Sequence, residues 1–560
     1  MRGKSGLIGL AILSLAQGVM AAEFNKDIHV IVKFKKTTAL LNAKQQLAHT
    51  IAVAPKTMQP MAGGFYTMTF SSQGVSKSLM KGQDATDWVV KQLRQNPAVQ
   101  YAVKDRVGHF KPLPNPSQDD LLPPLSHELQ WDEFSAPAGV MLESAPGLRD
   151  GAWAYTSGQA SKPIVVAVLD TGVAFHPALA DNLLKDESGA VWGWNFAGNN
   201  RDLRDETLSY HGTHVAGTIA AYSDVMSGVG EHLKILPIKV PDGSGMFYES
   251  QVINAIYWAV GGHVPGVPEN PYPAKVLNMS FGVDERPGKE IDHCDEALQD
   301  ALWFARKKGA VIAAAAGNDN RWEHYNAPAV CNGTMKVAST GPEGLRAYYS
   351  NYGPGVAYAA PGGDARYGKQ GAILSTVNPG GGYQGSGYDF YQGTSMASPH
   401  AAGIAGLIYA VRDGDVSPEK VEQIMYATTH GFGISTDPNK SCVGNKPCGH
   451  GILDANNAVK AAVANYDVFF SAPTIDVLKL TSCVSHAFLA QESMTSSQGA
   501  TWKRTGDATC QQETSYQQGY LTQEKDGNIL AHYGEATYQL DTSLFRHCQV
   551  VGFDGVGCYR

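Results

Sequence analysis

Continuous apolar runs alternate with amphipathic segments through the middle of the chain. The runs at 164–169, 235–240, 275–278 and 310–315 predict strands that are buried on both faces. Apolar spacings of three and four residues between them predict helices at 211–221, 249–260 and 295–308. Strands alternating with helices predict an α/β domain over 136–465, a doubly wound, mostly parallel sheet with helices on both faces. In such a sheet the active site lies at the carboxyl ends of the strands.

The patterns on either side of this domain differ from it. Residues 23–115 predict a small α+β domain, with strands at 28–34, 64–70 and 99–103 and a helix at 85–95. The stretch 109–124 carries five prolines and no regular period, which is typical of an exposed linker, and we place the linker between the domains at 116–135. Residues 468–560 are rich in Thr, Gln, Ser and Tyr, with four cysteines and weak helix patterns, and predict a small disulfide-stapled β module.

The N-terminus is typical of a secretory signal peptide over 1–22. Arg2 and Lys4 precede an apolar run at 7–16 that is too short to span a bilayer, and small residues at Ala21 and Ala22 suit cleavage. The alternative is an uncleaved anchor. We therefore expect a secreted, extracellular chain, with a periplasmic route left open, and no membrane span in the mature form.

Composition narrows the class of protein further. The chain has 560 residues and a net charge of -8, which gives no indication of a nucleic-acid partner. Its eight cysteines form no Cys-x-x-Cys pair, so that disulfides are favoured over metal ligation. The expected pairs are Cys294 with Cys331 and Cys442 with Cys448. The last four cysteines allow three connectivities, and the sequence does not choose among them.

Three short motifs contain the candidate catalytic residues. Asp170 closes the first apolar run, His211 opens a helix in His-Gly-Thr-His, and Ser395 opens another in Gly-Thr-Ser-Met-Ala-Ser-Pro-His. A serine hydroxyl needs a base to remove its proton, an imidazole suits that role near neutral pH, and a carboxylate orients the imidazole. Taken singly, each residue is better explained as a cap, a turn or a packed side chain. Together and in this order they indicate nucleophilic catalysis.

These motifs resemble the subtilase family of serine peptidases, in its Asp, His, Ser order. The resemblance is strong over 136–465 and looser over 23–115. It implies a secreted serine endopeptidase that hydrolyses peptide bonds through an acyl-enzyme and needs no cofactor for the chemistry. It assigns the base to His211 and leaves His214 and His400 structural. It also implies that the Asn318 side chain donates to the oxyanion; the alternative is that Asn318 only turns the chain.

The resemblance also implies a substrate groove. Two segments would form the walls of the primary pocket, and a third would pair with extended substrate backbone, unless it is only a glycine-rich surface turn. Phe247 would border a more distant apolar pocket. The implied residues are Ser280, Phe281 and Gly282 for one wall, Ala315, Ala316 and Gly317 for the other, and Gly243, Ser244 and Gly245 for the edge.

One feature departs from the family. The segment after the His-bearing helix, 220–230, contains no Asn, where many members carry an Asn-rich calcium loop. A carboxylate cluster at Asp202, Asp205 and Glu206 would instead hold a structural calcium ion, or else form a solvated acidic loop.

By the same resemblance, residues 23–115 are expected to be a propeptide that inhibits the enzyme in cis until it is cleaved. The enzyme would then be a monomer whose partners are polypeptide substrates and its own propeptide. The alternatives are a permanent non-inhibitory domain, a binding protein that has lost catalysis, and an adhesin or anchor built on the C-terminal module.

Overall fold

The computed structural model describes residues 27–35, 53–75, 80, 84–110, 113, 116, 121–122, 129–134, 137–207, 209–284, 291–378, 386–471, 493–495, 501–504, 520–533, 536–552 and 555–559. The predicted signal peptide and two of the cysteines, Cys483 and Cys510, lie outside these residues.

A small antiparallel sheet with one helix forms the N-terminal part. Its strands lie in the order β2-β3-β1-β4, and α1 packs on the sheet through Val89 and Leu93. Asp84 starts α1 by accepting from the backbone N–H groups of Thr86 and Asp87. The elements are β1 (Asp27–Phe34), β2 (Thr57–Pro60), β3 (Phe65–Ser71), α1 (Ala85–Gln95) and β4 (Val99–Lys104).

The centre of the protein is a seven-stranded parallel sheet in the order β14-β13-β12-β10-β6-β8-β7. A three-stranded sheet in the order β11-β5-β9 and the hairpin β15-β16 lie outside it. The strands are β5 (Val107–His109), β6 (Val165–Asp170), β7 (Trp194–Asn195), β8 (Lys234–Lys239), β9 (Met246–Tyr248), β10 (Val276–Met279), β11 (Gly282–Asp284), β12 (Val311–Ala315), β13 (Met335–Thr340), β14 (Tyr358–Pro361), β15 (Ile373–Val377) and β16 (Gly387–Tyr391).

Helices cover both faces of the central sheet, which confirms the predicted fold class. Along β6, Val166 and Val168 pack into one apolar core, whereas Val165, Ala167 and Leu169 pack into the other. A strand buried on both sides has no polar position, and this explains the continuous apolar runs. The helices are α2 (His211–Ala220), α3 (Glu249–Ala259), α4 (Glu296–Lys307), α5 (Thr394–Val411), α6 (Pro418–Ala427) and α7 (Ala455–Ala464).

The strand order changes direction at β6. The chain passes from β6 to β8 on one side and later to β10 on the other, so that the carboxyl end of β6 opens onto a crevice. Helix α5 crosses one face of the sheet with α2 beside it, and α3 and α4 lie on the other face. Asp170 is the last residue of β6 and therefore lies at this crevice.

The end of the predicted linker, 129–134, folds into the catalytic body. Trp131 belongs to the main apolar core, and its Nε1 donates to the carbonyl of Ala372. Asp132 is buried and lies 3.0 Å from His400 Nε2. The expectation of an exposed linker over the whole of 116–135 is thus wrong for these residues, because a short aromatic segment packs as well as a regular element does.

The C-terminal part is built of β-strands and packs on α6. One sheet has the order β17-β24-β23 and the other the order β18-β19-β22-β21-β20. The strands are β17 (Val468–Ser471), β18 (Ser493–Thr495), β19 (Thr501–Arg504), β20 (Tyr520–Gln523), β21 (Ile529–Tyr533), β22 (Ala536–Leu540), β23 (His547–Val550) and β24 (Gly555–Tyr559).

Disulfides join Cys294 to Cys331 and Cys442 to Cys448, the two pairs that the sequence favours. A third joins Cys548 to Cys558 across β23 and β24. Within the described ranges, no helix is long and apolar enough to cross a membrane.

Candidate active site

Asp170 and His211 form a buried pair at the carboxyl end of β6. His211 Nδ1 lies 2.8 Å from Asp170 Oδ1, which also accepts from the backbone N–H of Thr171 at 2.8 Å. The position after His211 requires glycine, because a Cβ on Gly212 would lie 2.3 Å from the carbonyl oxygen of Gly172. The local sequence therefore lets α2 begin directly against the end of β6.

The environment favours a proton on His211. Burial lowers the pKa of His211. The negative charge of Asp170, its hydrogen bond to the ring and the charge of Asp205 raise that pKa, and together they outweigh burial. The net pKa of His211 lies above its usual 6.5. The imidazolium that forms on proton transfer is stabilised by Asp170.

His214 and His400 have buried environments of another kind. Burial, with the His211 charge, lowers the pKa of His214 to about 3. Its Nε2 donates to the carbonyls of Ile373 and Asp389. His400 Nδ1 lies 2.8 Å from the carbonyl of Met396, which requires a proton on that nitrogen. Both rings thus bind the surrounding backbone and neither faces the groove described below.

Ser395 is held in the first turn of α5 by Ser280. Pro399 has no N–H, so it cannot donate to the carbonyl of Ser395 four residues earlier. Ser280 Oγ donates to that carbonyl at 3.0 Å, and Ser395 Oγ donates to the carbonyl of Ser280 at 3.1 Å. Asn278 Nδ2 supports Ser280 Oγ at 3.0 Å. The nucleophile candidate is thus fixed to the end of β10, next to β6.

Ser395 and His211 are not hydrogen-bonded to each other in the described residues. Catalytic hydrogen bonds often tighten only when substrate is present.

Asn318 is oriented by Thr394. Its Oδ1 accepts from both the backbone N–H and the hydroxyl of Thr394, each at 2.8 Å. With the oxygen occupied, the Nδ2 group is free to donate. A Cβ built on Gly393 would lie 3.4 Å from Asn318 Nδ2 and 3.6 Å from Ser395 N. These two donors therefore border one small space, as an oxyanion site requires.

A groove passes this edge, and the chain itself fills it. Strand β5 pairs antiparallel with β9 on one side and β11 on the other, and Phe110 N donates to Gly245 O at 3.2 Å. The Phe110 ring lies 5.3 Å from the His211 ring and 5.7 Å from that of Phe281. The segment just after the N-terminal domain thus lies in the groove as an extended peptide.

The first predicted wall and the edge segment take different positions along this groove. Gly282 pairs with His109, and Phe281 packs on Phe110. Of the edge residues, Gly245 contacts the segment, whereas Gly243 and Ser244 form a turn closed by Asp242. The pairing strand is Met246–Tyr248 rather than 243–245, because Gly245 has φ +82° and ends the turn there.

Two asparagines that no sequence motif indicated donate hydrogen bonds to the backbone of the second predicted wall of the primary pocket. Asn326 Nδ2 donates to the carbonyl of Ala315, and Asn351 Nδ2 donates to that of Ala316, both at 2.9 Å. A Cβ on Gly317 would lie 2.3 Å from Asn351 Nδ2, so this position needs glycine. No motif signals Asn326, which reaches the wall only through the fold.

The three upstream carboxylates do not converge on one point. Asp202 pairs with Arg204, Glu206 pairs with Lys239 and Arg204, and Asp205 accepts from Thr207 and Thr213. Each acid already faces a cation or hydroxyl of the chain, which does not fit a shared calcium ion. No group of three or more His, Cys, Asp or Glu in the described ranges has a metal-binding arrangement.

A model of the subtilase family matches residues 161–460, more than half of the chain. This chain belongs to the subtilase family. It is 31% identical to an extracellular protease of Xanthomonas campestris, over 77% of its own length and 72% of that protein. It is 30% identical to an extracellular basic protease of Dichelobacter nodosus, over 78% and 71% respectively. A solved protease structure from Pseudoalteromonas arctica is 35% identical, with a TM-score of 0.51 over 60% of this chain and 97% of that one.

The chain is therefore a subtilisin-like serine peptidase that acts on polypeptides, and its resemblance to extracellular proteases is consistent with secretion.

Proposed function

We propose that this subtilase is secreted as a self-processing zymogen, in which Asp170, His211 and Ser395 perform acyl-enzyme hydrolysis and the N-terminal segment inhibits until it is removed. The observation that carries the proposal is the position of β5, an extended segment paired on both sides in the groove with Phe110 against His211.

The chemistry uses groups of the chain alone. Ser395 Oγ attacks the scissile carbonyl carbon while its proton passes to His211 Nε2, and Asp170 holds the imidazolium. The carbonyl oxygen becomes an oxyanion that accepts from Asn318 Nδ2 and Ser395 N. His211 then protonates the departing amine, and the acyl-enzyme remains. Water repeats the sequence with His211 as base and releases the carboxylic acid product.

The N-terminal segment also supports the proposal by its contacts outside the groove. Asp300 on α4 accepts from Lys33 Nζ at 2.7 Å and from Tyr101 OH at 2.8 Å. The carboxylate of Asp105 accepts from the N–H and hydroxyl of Ser250 at the start of α3. The carbonyl of Arg106 accepts from Glu249 N. The segment thus caps backbone groups that a helix N-terminus leaves free.

These contacts favour an inhibitor that is held in cis and is able to dissociate once the chain is cut. We expect the active form to be a monomer outside the cell, reached directly or through a periplasm.

The test compares the wild-type chain with Ser395→Ala, and uses Ser188→Ala as a matched control on an exposed turn. Casein hydrolysis and labelling by a fluorophosphonate are measured on each secreted protein. We expect both to be lost in Ser395→Ala and kept in the control, and Asn318→Ala to lose roughly 10²–10³ in kcat, a magnitude measured in this family.

Full casein hydrolysis by Ser395→Ala, or labelling at another serine only, would overturn the assignment. Absence of both activities from the wild-type chain would favour a binding protein that keeps the fold.

A further inference from the structure

The first turn of α5, which carries Ser395, is held by hydrogen bonds of side chains. Pro399 cannot donate to the carbonyl of Ser395, so the backbone hydrogen bonds of the helix are interrupted there. The side-chain contacts of this turn join Thr394 to Asn318, Ser395 to Ser280, Ser398 to Asn278 and Met396 to His400. The partners in the first three contacts lie in or just after β10 and β12 of the central sheet. The fourth partner has a different origin.

The fourth contact leads out of the helix to the segment that precedes the catalytic body. His400 Nδ1 donates to the carbonyl of Met396 at 2.8 Å, and His400 Nε2 lies 3.0 Å from Asp132 Oδ2. The two contacts together need a proton on each ring nitrogen, or one on Nδ1 and one on the carboxyl. Both side chains are buried. The ring of His400 is therefore fixed at both of its nitrogens.

Stability does not explain why a buried acid lies here. Replacing a buried ion pair by apolar residues of similar volume is often neutral or stabilising, because the charged groups lose their hydration. Asp132 Oδ1 has no hydrogen-bond partner among the described residues, which adds to this cost. Trp131, which precedes Asp132, and Met396 belong to the main apolar core, so that apolar side chains would suit these surroundings. The pair is better explained by what it orients.

We infer that Asp132 is a positioning residue for Ser395 and acts through His400. The Nδ1–H of His400 holds the carbonyl of Met396, and the turn held in this way presents Ser395 Oγ and the Ser395 N–H of the oxyanion site. A small shift of this turn would move both groups relative to the substrate. The cut that releases the N-terminal domain must then fall before Asp132. This inference rests on the proposed function, since it takes Ser395 as the nucleophile.

The first experiment compares Asp132→Ala with Asp132→Asn. In Asp132→Ala the His400 Nε2 atom loses its partner. In Asp132→Asn the amide can donate to Nε2 of a neutral ring, whose Nδ1 keeps its proton for Met396. Each variant is matured by tagged wild-type enzyme, which is then removed. We measure kcat and KM on a chromogenic peptide, and count active sites by complete fluorophosphonate labelling.

We expect kcat to fall about 10- to 100-fold in Asp132→Ala, with KM within about twofold of the wild-type value. In Asp132→Asn we expect kcat to stay within about threefold of wild type, because the ring keeps both of its contacts. A residue that only stabilised the fold would not divide the effect between kcat and KM in this way.

The second experiment separates activity from stability. Asp132→Leu with His400→Leu removes both buried polar groups at once, and its melting temperature is measured in a Ser395→Ala background, which prevents autolysis. We expect an unchanged or higher melting temperature, and a kcat as low as that of Asp132→Ala. The matched control is Arg306→Leu with Glu422→Leu, which removes an ion pair between α4 and α6 and should leave kcat unchanged.

An unchanged kcat in Asp132→Ala, or an equal loss in Asp132→Ala and Asp132→Asn, would overturn the inference. A double leucine variant that keeps full kcat, melts much lower or is not secreted would overturn it as well, and so would active wild-type enzyme that begins after Asp132. Casein hydrolysis by the wild-type enzyme separates this from the larger claim. If casein is cleaved, such a result concerns Asp132 alone; if casein is not cleaved, the proposed function fails and the inference with it.

Discussion

The two ends of the chain are attached to the peptidase domain by interfaces of different kinds. The N-terminal domain meets α3 and α4 through both charged and apolar groups, and its Ile31, Phe65 and Val103 are buried in the same apolar core as these helices. Asp300, Glu296 and Asp295 on the enzyme side face Lys33, Arg94 and Arg106. Apolar contacts add to this, as where the rings of Phe65 and Tyr257 lie 6.2 Å apart.

The C-terminal module meets α6 and α7 through close backbone packing. A Cβ on Gly555 would lie 1.4 Å from the carbonyl oxygen of Ala427, and one on Gly552 2.7 Å from Thr428 Cα. Tyr466 and Phe469 belong to the main core of the peptidase domain. Tyr559 OH donates to the carbonyl of Ala464 at 2.8 Å.

The difference indicates what each interface is for. Apolar backbone packing is stable and insensitive to pH, as in a permanent interface. Charge pairing responds to pH, salt and the loss of a single partner. The charge pairs of the N-terminal interface suit the release that we propose for this domain, whereas the packing of the C-terminal module suits a permanent attachment.

The largest effect is expected from Gly555→Val. The added side chain overlaps the backbone of α6, and the cost should exceed the ~3 kcal/mol typical of an overpacked core. In a Ser395→Ala background, which prevents autolysis, we expect a markedly lower melting temperature or failure of secretion. Gly243→Ala is the control for stability, because its Cβ would meet nothing within 4 Å. An unchanged melting temperature for Gly555→Val would mean that the module is not packed on α6.

The next effect concerns Asp300→Ala. Both Lys33 and Tyr101 lose their acceptor, and charge-assisted hydrogen bonds are among the stronger ones at an interface. We expect the inhibition constant of the isolated 23–115 segment to rise by about 10- to 100-fold, with kcat on small peptides unchanged. Glu269→Ala, which removes an exposed acid paired with His263, is the control, and this enzyme variant should be inhibited as strongly as the wild-type enzyme. Equal inhibition of both variants would remove the charged interface from the account.

The third prediction is the pH dependence of this inhibition. Burial raises the pKa of Asp105 to about 7, and burial together with the Asp295 charge raises that of Glu249. Arg106 faces the same cluster, and its guanidinium lies 3.2 Å from His293 Nε2. Asp105 lies on the N-terminal segment, and in the free segment its carboxyl regains water and its pKa falls towards the ordinary value of about 4, so docking takes up a proton.

The sign follows from that uptake. Inhibition should be strongest below the pKa of the carboxyl in the free segment and should weaken as the pH rises through about 7, the pKa of Asp105 in the docked form. The inhibition constant should change by up to about tenfold per pH unit for each proton taken up. Titrations between roughly pH 5.5 and 8.5 should show this. In Asp105→Asn, whose amide oxygen still accepts from Ser250, the slope should be smaller. Inhibition that strengthens with pH would contradict the cluster's role.

The smallest effect is expected at the exposed rim. Arg94 and Glu296 are 3.3 Å apart with about half of each side chain exposed. Exposed pairs contribute little and are screened by salt. We expect Glu296→Gln to weaken inhibition less than about threefold, and only at low ionic strength. A tenfold loss would indicate that this pair is more strongly coupled than its exposure suggests.

The sequence predicted the central elements well because their burial dictates their composition. Residues 85–95 are helical as expected, and the predicted helix at 211–221 differs from α2 (His211–Ala220) by one residue. The motif residues Asp170 and His211 meet at the end of β6. This could be expected from the sequence, because the end of the strand and the start of the helix are both visible in its pattern.

What the sequence did not reveal depends on contacts between distant segments. Val107–His109 has no strand pattern and is extended because β9 and β11 lie on either side of it. Glu249 and Asp105 are acidic residues, which are ordinarily expected at the surface, yet both are buried.

The most direct test of the central claim is the N-terminal sequence and intact mass of the secreted protein, for the wild-type chain and for Ser395→Ala produced without other proteases. We predict that active wild-type protein begins between about residues 110 and 135 and that Ser395→Ala keeps the whole N-terminal domain. Active wild-type enzyme with residues 23–110 still attached, or a Ser395→Ala chain cut at the same bond, would contradict a zymogen that processes itself.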